Sequence, residues 1–145
     1  MLTSAPGVGE RVKIMDFGLA KVPGVGATET VTQAGFVVGT IGYMAPEEIG
    51  GGGSDLRADI FSIGVMVVES LTGRRPFGGR TPQEIVSAVL RDSYRLPGDA
   101  VEVQALDRIV QRCLAKDPSE RYASAAELAG ELVPALHACP PLARP

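Results

Sequence analysis

The stretch "GTIGYMAPEE", residues 39–48, divides the sequence into a loop-rich beginning and a helical remainder. Pro46 can occupy the first turn of a short helix, because the N–H that proline lacks has no helical partner at that position. Four consecutive glycines, Gly50 to Gly53, follow it. Since glycine is the least restricted residue, this run predicts a flexible connector directly after the short helix.

The most apolar segment of the sequence follows this connector. Its hydrophobic residues predict a helix from about Arg57 to Leu71 that is stopped by Gly73 and Pro76. Polar residues interrupt the segment, which is shorter than the roughly 20 apolar residues that a membrane span requires. We therefore expect a buried helix that is apolar around most of its circumference.

Two further helices begin with capping signatures, Thr81 with Glu84 and Ser124 with Glu127. Apolar residues at helical spacing predict two core-facing stripes. The first consists of Leu106, Ile109, Val110, Cys113 and Leu114, and the second of Ala125, Leu128, Ala129, Leu132, Val133 and Leu136. The prolines of the last eight residues, 138–145, cannot continue a helix.

The sequence before residue 45 contains fewer signals. Val12 to Met15 is a short run with strand character, whereas Pro23 to Gly35 is rich in Gly, Thr and Ala and has neither a helical nor a strand period. We expect little regular structure in this part of the chain.

Composition limits the classes of protein to consider. A chain of 145 residues with 45% hydrophobic and 21% charged residues suits one globular domain. The net charge of -3 and the scattered basic residues argue against a nucleic-acid partner. Two distant cysteines, Cys113 and Cys139, and a start that does not resemble a signal peptide favour the cytoplasm.

The sequence "VKIMDFGLAK", residues 12–21, places Asp16 at the end of the strand-like run, with Gly18 two positions later. Such an aspartate can hold a metal ion while the chain turns, or it can belong to an ordinary turn. The three residues D-F-G alone do not separate these alternatives.

Further motifs follow in a fixed order. Glu47 of "GTIGYMAPEE" lies 31 positions after Asp16, and "DIFSIGV" (59–65) and "KDPSERY" (116–122) come next. With this ordered set the chain resembles, from about Val12 to Leu136, the C-terminal lobe of eukaryotic-like serine/threonine protein kinases of bacteria.

The resemblance implies a mainly α, kinase-like C-lobe with short strands around D-F-G. The partial kinase domain would span 1–137, with the activation segment region at 12–47 and the helical subdomain at 48–137, followed by a Pro-rich tail at 138–145.

The resemblance also implies roles in the transfer of phosphate from Mg-ATP to protein serine or threonine. Asp16 would hold Mg²⁺, Phe17 would pack inward and set the active or inactive geometry, and Gly18 would let the backbone change between the two. Thr40 resembles the threonine that hydrogen-bonds the catalytic aspartate and lysine, and it favours Ser/Thr substrates. The alternative interpretation of Thr40 is a threonine that caps a turn.

Structural roles follow from the same resemblance. Glu47 and Arg121 would form the ion pair that ties the end of the activation segment to the helical subdomain. Asp59 would brace the catalytic loop, although an aspartate near a helix N-terminus is also favoured by the helix dipole alone.

Three threonines between D-F-G and A-P-E, namely Thr28, Thr30 and Thr32, are candidate phosphorylation sites, with Thr30 and Thr32 preferred. A phosphate there would order the segment by pairing with arginine. The alternative is a solvated polar loop without regulatory function.

The 145 residues include no H-R-D sequence, no Gly-rich loop followed by a strand lysine, and so no catalytic aspartate. The start "MLTS" resembles the end of the K-P-E-N-I-M-L sequence of relatives, so we expect Met1 to be an internal methionine of a longer kinase. Alone, the chain is expected to be inactive and not to bind Mg-ATP tightly.

Two functions therefore remain open. In the first, the chain is part of a kinase and contacts protein substrates through the activation segment and the helix after Thr81. In the second, it is a non-catalytic, kinase-like interaction module.

Overall fold

The computed structural model describes residues 2–5, 8–12, 41–53 and 55–141, the first two ranges as backbone alone. A two-stranded antiparallel hairpin is formed by β1 (Leu2–Ala5) and β2 (Val8–Val12). Five α-helices follow in the described residues: α1 (Pro46–Ile49), α2 (Leu56–Thr72), α3 (Pro82–Arg91), α4 (Val101–Cys113) and α5 (Ala125–Ala138). A 3-10 turn (Pro118–Glu120) connects α4 to α5. The described part of the chain is thus mainly helical, as the sequence predicts.

The hairpin lies in the part of the chain before residue 45, where little regular structure is expected. Its register pairs Leu2 with Val12 and Thr3 with Arg11, with an irregularity before Ala5. The sequence places the turn-favouring dipeptide Pro6-Gly7 between the strands, a signal that the sequence reading overlooked. Val12 ends β2, whereas the rest of the predicted strand at 13–15 lies outside the described residues.

Helix α2 forms the centre of the helical lobe. It begins at Asp55, whose carboxylate accepts a hydrogen bond from the Arg57 N–H at 2.8 Å. It ends at Gly73, whose φ of 75° is left-handed and therefore favours glycine. Its buried hydrophobic side chains are Ala58, Ile60, Phe61, Val65 and Val68.

The rest of the circumference of α2 is less covered. Met66 is 48% exposed, and Ile63, Val67 and Leu71 are partly buried. Within residues 41–53 and 55–141, no helix combines the length and the apolar character that crossing a membrane would require.

Both predicted caps are present. The Thr81 hydroxyl accepts a hydrogen bond from the Glu84 N–H at 3.2 Å at the start of α3, and the Ser124 hydroxyl accepts one from the Glu127 N–H at 3.1 Å at the start of α5. Each glutamate carboxylate also accepts a backbone N–H from the residue before its cap. These reciprocal hydrogen bonds resemble a capping box, except that the carboxylate binds the N–H of the residue before the cap, and they set the starts of α3 and α5 locally.

Helix α4 packs across α2 at a glycine. A Cβ added to Gly64 would lie 2.7 Å from the Cβ of Cys113, closer than such atoms can approach, and would be tightly packed against Leu114 Cδ2 at 3.1 Å. The predicted stripe of α4, from Leu106 to Leu114, is buried throughout. The absence of a side chain at position 64 therefore allows the two helices to come into direct contact.

The stripe predicted for α5 is wrong for part of its length. Leu128 and Leu132 are buried, but Ala125 and Ala129 are exposed and Val133 is 49% exposed. Among the described helices, α5 packs mainly against α2 and α4, so a narrow face is enough to make its main contacts. The apolar stripe predicted for α5 is therefore wider than the face that α5 buries, because apolar side chains can also lie on a protein surface.

Candidate functional site

The residue pair Glu47 and Arg121 joins α1 to the segment that precedes α5. Arg121 Nη1 lies 2.8 Å from Glu47 Oε1, and Arg121 Nη2 lies 2.9 Å from Glu47 Oε2. Two parallel N–H···O bonds match the planar guanidinium to the planar carboxylate, which fixes both distance and orientation. The two residues that the sequence analysis pairs are therefore in contact.

The other donors of Arg121 are bound to backbone carbonyls. Its Nε donates to Ala115 at 2.8 Å, Nη1 also donates to Arg57 at 2.9 Å, and Nη2 also donates to Lys116 at 3.2 Å. All five guanidinium N–H donors are thereby satisfied. This explains how Arg121 can be buried, with a side-chain exposure of 0%.

Electrostatics at this junction favour the ionised carboxylate. Burial acts to raise the pKa of Glu47, but the hydrogen bonds from Arg121 and from the backbone N–H of Glu47, with the charge of Arg121, outweigh it and lower that pKa. The guanidinium carbon of Arg121 also lies 5.0 Å from the centroid of the Phe61 ring, a cation–π distance. Glu47 is therefore held as an anion against a buried cation.

A second set of contacts holds the segment that leads into α1. The Ser62 hydroxyl donates to the carbonyl of Tyr43 at 2.7 Å, and the Tyr43 hydroxyl donates to the carboxylate of Glu69. That hydrogen bond, together with burial, raises the pKa of Tyr43. The guanidinium of Arg75 lies over the Tyr43 ring at 5.8 Å.

These contacts attach residues 41–45 to one side of α2. Ile41 and Ala45 are buried in the core, and a Cβ on Gly42 would lie 2.8 Å from Arg75 Nη1. The segment therefore presents its remaining backbone and the partly exposed Met44 on a surface fixed by α2.

Sequence reasoning missed a buried carboxylate on α4, facing the loop between α3 and α4. Asp107 is 7% exposed and accepts hydrogen bonds from the Leu96 N–H at 2.7 Å, from Arg95 Nη1 at 3.3 Å and from the Gln111 amide. An aspartate directly beside Leu106, within an apolar stripe, was the available signal. Asp107 ties residues 95–96 to α4, which makes it a structural residue.

Asp59 lies in the first turn of α2 and is exposed. This position suits the interpretation that the helix dipole favours it. The other predicted site residues lie outside the described residues: Asp16, Phe17, Gly18, Thr28, Thr30, Thr32 and Thr40.

The predicted magnesium ligand, Asp16, lies outside the described residues. In the described residues no group of three or more His, Cys, Asp or Glu side chains is placed to hold a metal ion. Those residues therefore do not form a Mg²⁺ site by themselves. The assignment of Asp16 as a metal ligand stays a prediction.

The helical lobe contains the buried Glu47–Arg121 pair, and the ordered motifs lie on either side of Glu47 in the sequence. Together these features indicate the class of protein. The family model for the protein kinase domain matches residues 2–132, and the chain belongs to this family. The resemblance to bacterial serine/threonine kinases is thereby confirmed.

The curated relatives of this chain are named as serine/threonine protein kinases. The chain is 38% identical over 127 residues to serine/threonine-protein kinase PknB of Mycobacterium leprae, covering 84% of this chain and 20% of that protein. It is 37% identical over 132 residues to PknB of Mycobacterium tuberculosis, covering 90% and 21%. With PknB of Mycolicibacterium smegmatis it shares 37% over 124 residues, covering 84% and 20%. The chain spans about a fifth of the length of the curated relatives it matches.

Proposed function

We propose that the chain is the C-lobe portion of a serine/threonine protein kinase, which transfers the γ-phosphate of ATP to serine or threonine residues of proteins. The observation that carries the proposal is the contact of Glu47 with Arg121, at 2.8 and 2.9 Å, beside an anchored segment 41–45. This junction supports the division into an activation segment region at 12–47 and a helical subdomain at 48–137, with a tail at 138–145.

In this proposal the chain's own residues position the protein substrate. Ser62 and Glu69 hold Tyr43 at its carbonyl and its hydroxyl, so the segment before α1 is fixed against α2. Helix α3 contacts α1 and extends the same surface. Substrate proteins would lie along the segment and α3, without nucleic acid as a partner.

The remaining roles belong to the same proposal. Mg-ATP would supply the transferred phosphate in the complete kinase, with Asp16 as a ligand of Mg²⁺, Phe17 and Gly18 beside it, Thr40 supporting the catalytic loop and Asp59 bracing it. Thr28, Thr30 and Thr32 are the proposed phosphorylation sites. Since Cys113 and Cys139 are both free thiols, we place the domain in a reducing compartment, the cytoplasm.

The second candidate is a non-catalytic, kinase-like interaction module. It is supported by the printed sequence, in which H-R-D does not occur. The two candidates predict the same helical surface but different chemistry, so they are separated by what the gene encodes around this chain and by activity.

The test begins with the DNA upstream of the Met1 codon, read in the same frame. Codons for an H-R-D loop and, further upstream, a Gly-rich loop are expected for the kinase, and stop codons directly upstream would contradict it. The longest in-frame product is then assayed for phosphate transfer from Mg-ATP to a generic basic protein. Asp16→Asn is expected to abolish transfer, whereas Asp99→Asn, at an exposed position between α3 and α4, should leave it unchanged.

A further inference from the structure

Two cationic side chains lie against one aromatic pair beside the Glu47–Arg121 junction. Phe61 of α2 and Phe77 of the connection between α2 and α3 stack with their ring centroids 5.8 Å apart. The guanidinium carbon of Arg121 lies 5.0 Å from the Phe61 centroid. Lys116 Nζ lies 3.9 Å from the Phe77 centroid. Both are cation–π distances, so the same aromatic pair holds Lys116 and the arginine of the junction.

The side chain of Lys116 also reaches α3. Its Nζ donates a hydrogen bond to the carbonyl of Val89 at 2.6 Å. Because α3 ends at Arg91, this carbonyl belongs to the last turn, where no following turn supplies an N–H partner. Val89 is 0% exposed, so water cannot replace the amine as the donor. Lys116 therefore satisfies a buried carbonyl at the end of α3.

The backbone of Lys116 is fixed by Arg121. Arg121 Nε donates to the carbonyl of Ala115 at 2.8 Å, and Arg121 Nη2 donates to the carbonyl of Lys116 at 3.2 Å. The same guanidinium binds the carboxylate of Glu47. A continuous series of contacts therefore runs from Glu47 through Arg121 and Lys116 to Val89 in α3.

The two ends of α3 are held in different ways. Its start is fixed by the Thr81 cap and by the preceding loop, which is so close that a Cβ on Gly79 would lie 2.6 Å from the Cβ of Glu84. These contacts are confined to the first turn. Apolar burial of Ile85 and Val89 selects the face that α3 buries, but it is non-directional. A hydrogen bond has a defined geometry, so the contact with Lys116 sets where the last turn lies.

We propose that Lys116 is a positioning residue that sets the last turn of α3 relative to the Glu47–Arg121 junction. The consequence for substrates rests on the proposed function, because only there do residues 41–45 and α3 form one docking surface. Loss of the contact would then weaken binding of proteins that touch α3. The rate of phosphate transfer from bound substrate would not change, because the contact acts on α3 and not on the transferred phosphate.

The first experiment measures hydrogen exchange in the folded 145-residue chain and does not depend on phosphate transfer. Lys116→Met keeps an apolar stem but removes the charge and the N–H donors. The amides of residues 89–92 should exchange about tenfold faster, with α4 unchanged. Unchanged exchange in residues 89–92, or a similar rise in α4, would overturn the proposal.

Arg112→Met is the matched control. The Arg112 guanidinium lies 3.9 Å from the centroid of the Tyr122 ring, the same distance as Lys116 Nζ from Phe77, but it pairs with Glu127 of α5. It should leave exchange in α3 unchanged. A rise in α3 as large as that in Lys116→Met would show that loss of any such cation loosens the helix, which contradicts a specific role of Lys116.

A conservative variant tests the chemistry of the contact. Lys116→Arg keeps a cation with N–H donors and should exchange within about twofold of the unchanged chain in the last turn of α3. Exchange as fast as in Lys116→Met would contradict the assigned hydrogen bond. If Lys116→Met does not fold, Lys116→Gln takes its place and the same outcomes decide.

The second experiment measures KM and kcat of the longest in-frame product with a generic basic protein as substrate. Leu90→Ala shortens a side chain of α3 that is 41% exposed, so a raised KM shows that this substrate touches α3. Lys116→Met should then raise KM about fivefold with kcat unchanged, and Lys116→Arg should restore KM. A raised KM in Leu90→Ala alone, or a lower kcat in Lys116→Met, would overturn the positioning role.

The two experiments separate this inference from the proposed function. Absence of phosphate transfer by the unchanged product would contradict the proposed function, and an unchanged KM in Leu90→Ala would contradict α3 as the docking surface for that substrate. In both cases hydrogen exchange in the last turn of α3 still decides whether Lys116 positions the helix.

Discussion

Arg121 and Glu47 are joined by parallel hydrogen bonds of 2.8 and 2.9 Å across 74 residues of sequence. The guanidinium is fully buried and the carboxylate side chain is 18% exposed, so neither charge can be solvated freely if its partner is removed. This relationship closes the helical lobe around the end of the segment that precedes α1.

Glu47→Ala is expected to lower the free energy of unfolding by about 3 to 5 kcal/mol, because Arg121 would remain buried without its counter-charge. Equilibrium urea unfolding measures this. The matched control is Glu127→Gln, which removes the charge from the pair of Glu127 with Arg112, whose side chains are 38% and 40% exposed. That variant should cost less than about 1 kcal/mol, and equal costs for the two variants would contradict the assignment of Arg121 as a buried cation dependent on Glu47.

The Glu47–Arg121 pair also predicts that the free energy of unfolding falls at low pH. Against the effect of burial, the hydrogen bonds and the charge of Arg121 lower the pKa of Glu47 in the folded chain below the ordinary glutamate value of 4.5. The ionised Glu47 carboxylate therefore contributes its full stabilisation above the ordinary glutamate pKa. This stabilisation is lost as the pH falls through the lower pKa of the folded chain. Unfolding free energies between pH 6 and pH 3 should fall more steeply for the unchanged chain than for Glu47→Gln; parallel curves would show that the carboxylate does not titrate as described.

Gly64→Ala tests the contact between α2 and α4. The new methyl group would lie 2.7 Å from the Cβ of Cys113, so we expect a loss of about 1 to 3 kcal/mol through overpacking. Gly130→Ala is the control, because Gly130 lies within α5 and a Cβ there meets nothing within 4 Å. Since alanine is the better helix former, that variant should gain about 0.5 to 1 kcal/mol. Thermal unfolding of the two variants should therefore shift in opposite directions, and a shared direction would refute the proposed steric cause.

Asp107→Ala should destabilise the chain by about 1 to 3 kcal/mol, because the buried N–H of Leu96 loses its acceptor. Arg95→Ala removes another partner of the same carboxylate, but the Arg95 side chain is 77% exposed and its loss should cost less than about 1 kcal/mol. Chemical unfolding distinguishes the two. Equal effects would mean that the ion pair, and not the backbone hydrogen bond, determines the role of Asp107.

Calorimetric titration of the 145-residue chain with Mg-ATP should give no measurable heat of tight binding. Asp16 alone cannot replace a Gly-rich loop and a strand lysine, neither of which occurs in this sequence. A dissociation constant in the micromolar range, or phosphate transfer by this chain alone, would contradict the prediction. The longest in-frame product from the gene is the matched comparison.

The sequence by itself determined the helical elements and their starts. The caps at Thr81 and Ser124 and the stop at Gly73 are contacts within a few residues, so the local sequence specifies them without the rest of the fold. The stripe of α4 was also predicted, because helical spacing shows which residues share a face. The ordered motifs further indicated the family and the pairing of Glu47 with Arg121.

Tertiary structure decided what depends on distant neighbours. Periodicity could not show that α5 buries only part of its stripe, since the extent of burial depends on which helices lie opposite it. It also did not predict that Asp107 turns inward to the Leu96 N–H, or that Lys116 reaches the carbonyl of Val89. A buried polar group is tolerated only where its hydrogen-bond partners arrive from elsewhere in the chain, and those partners are brought together by folding.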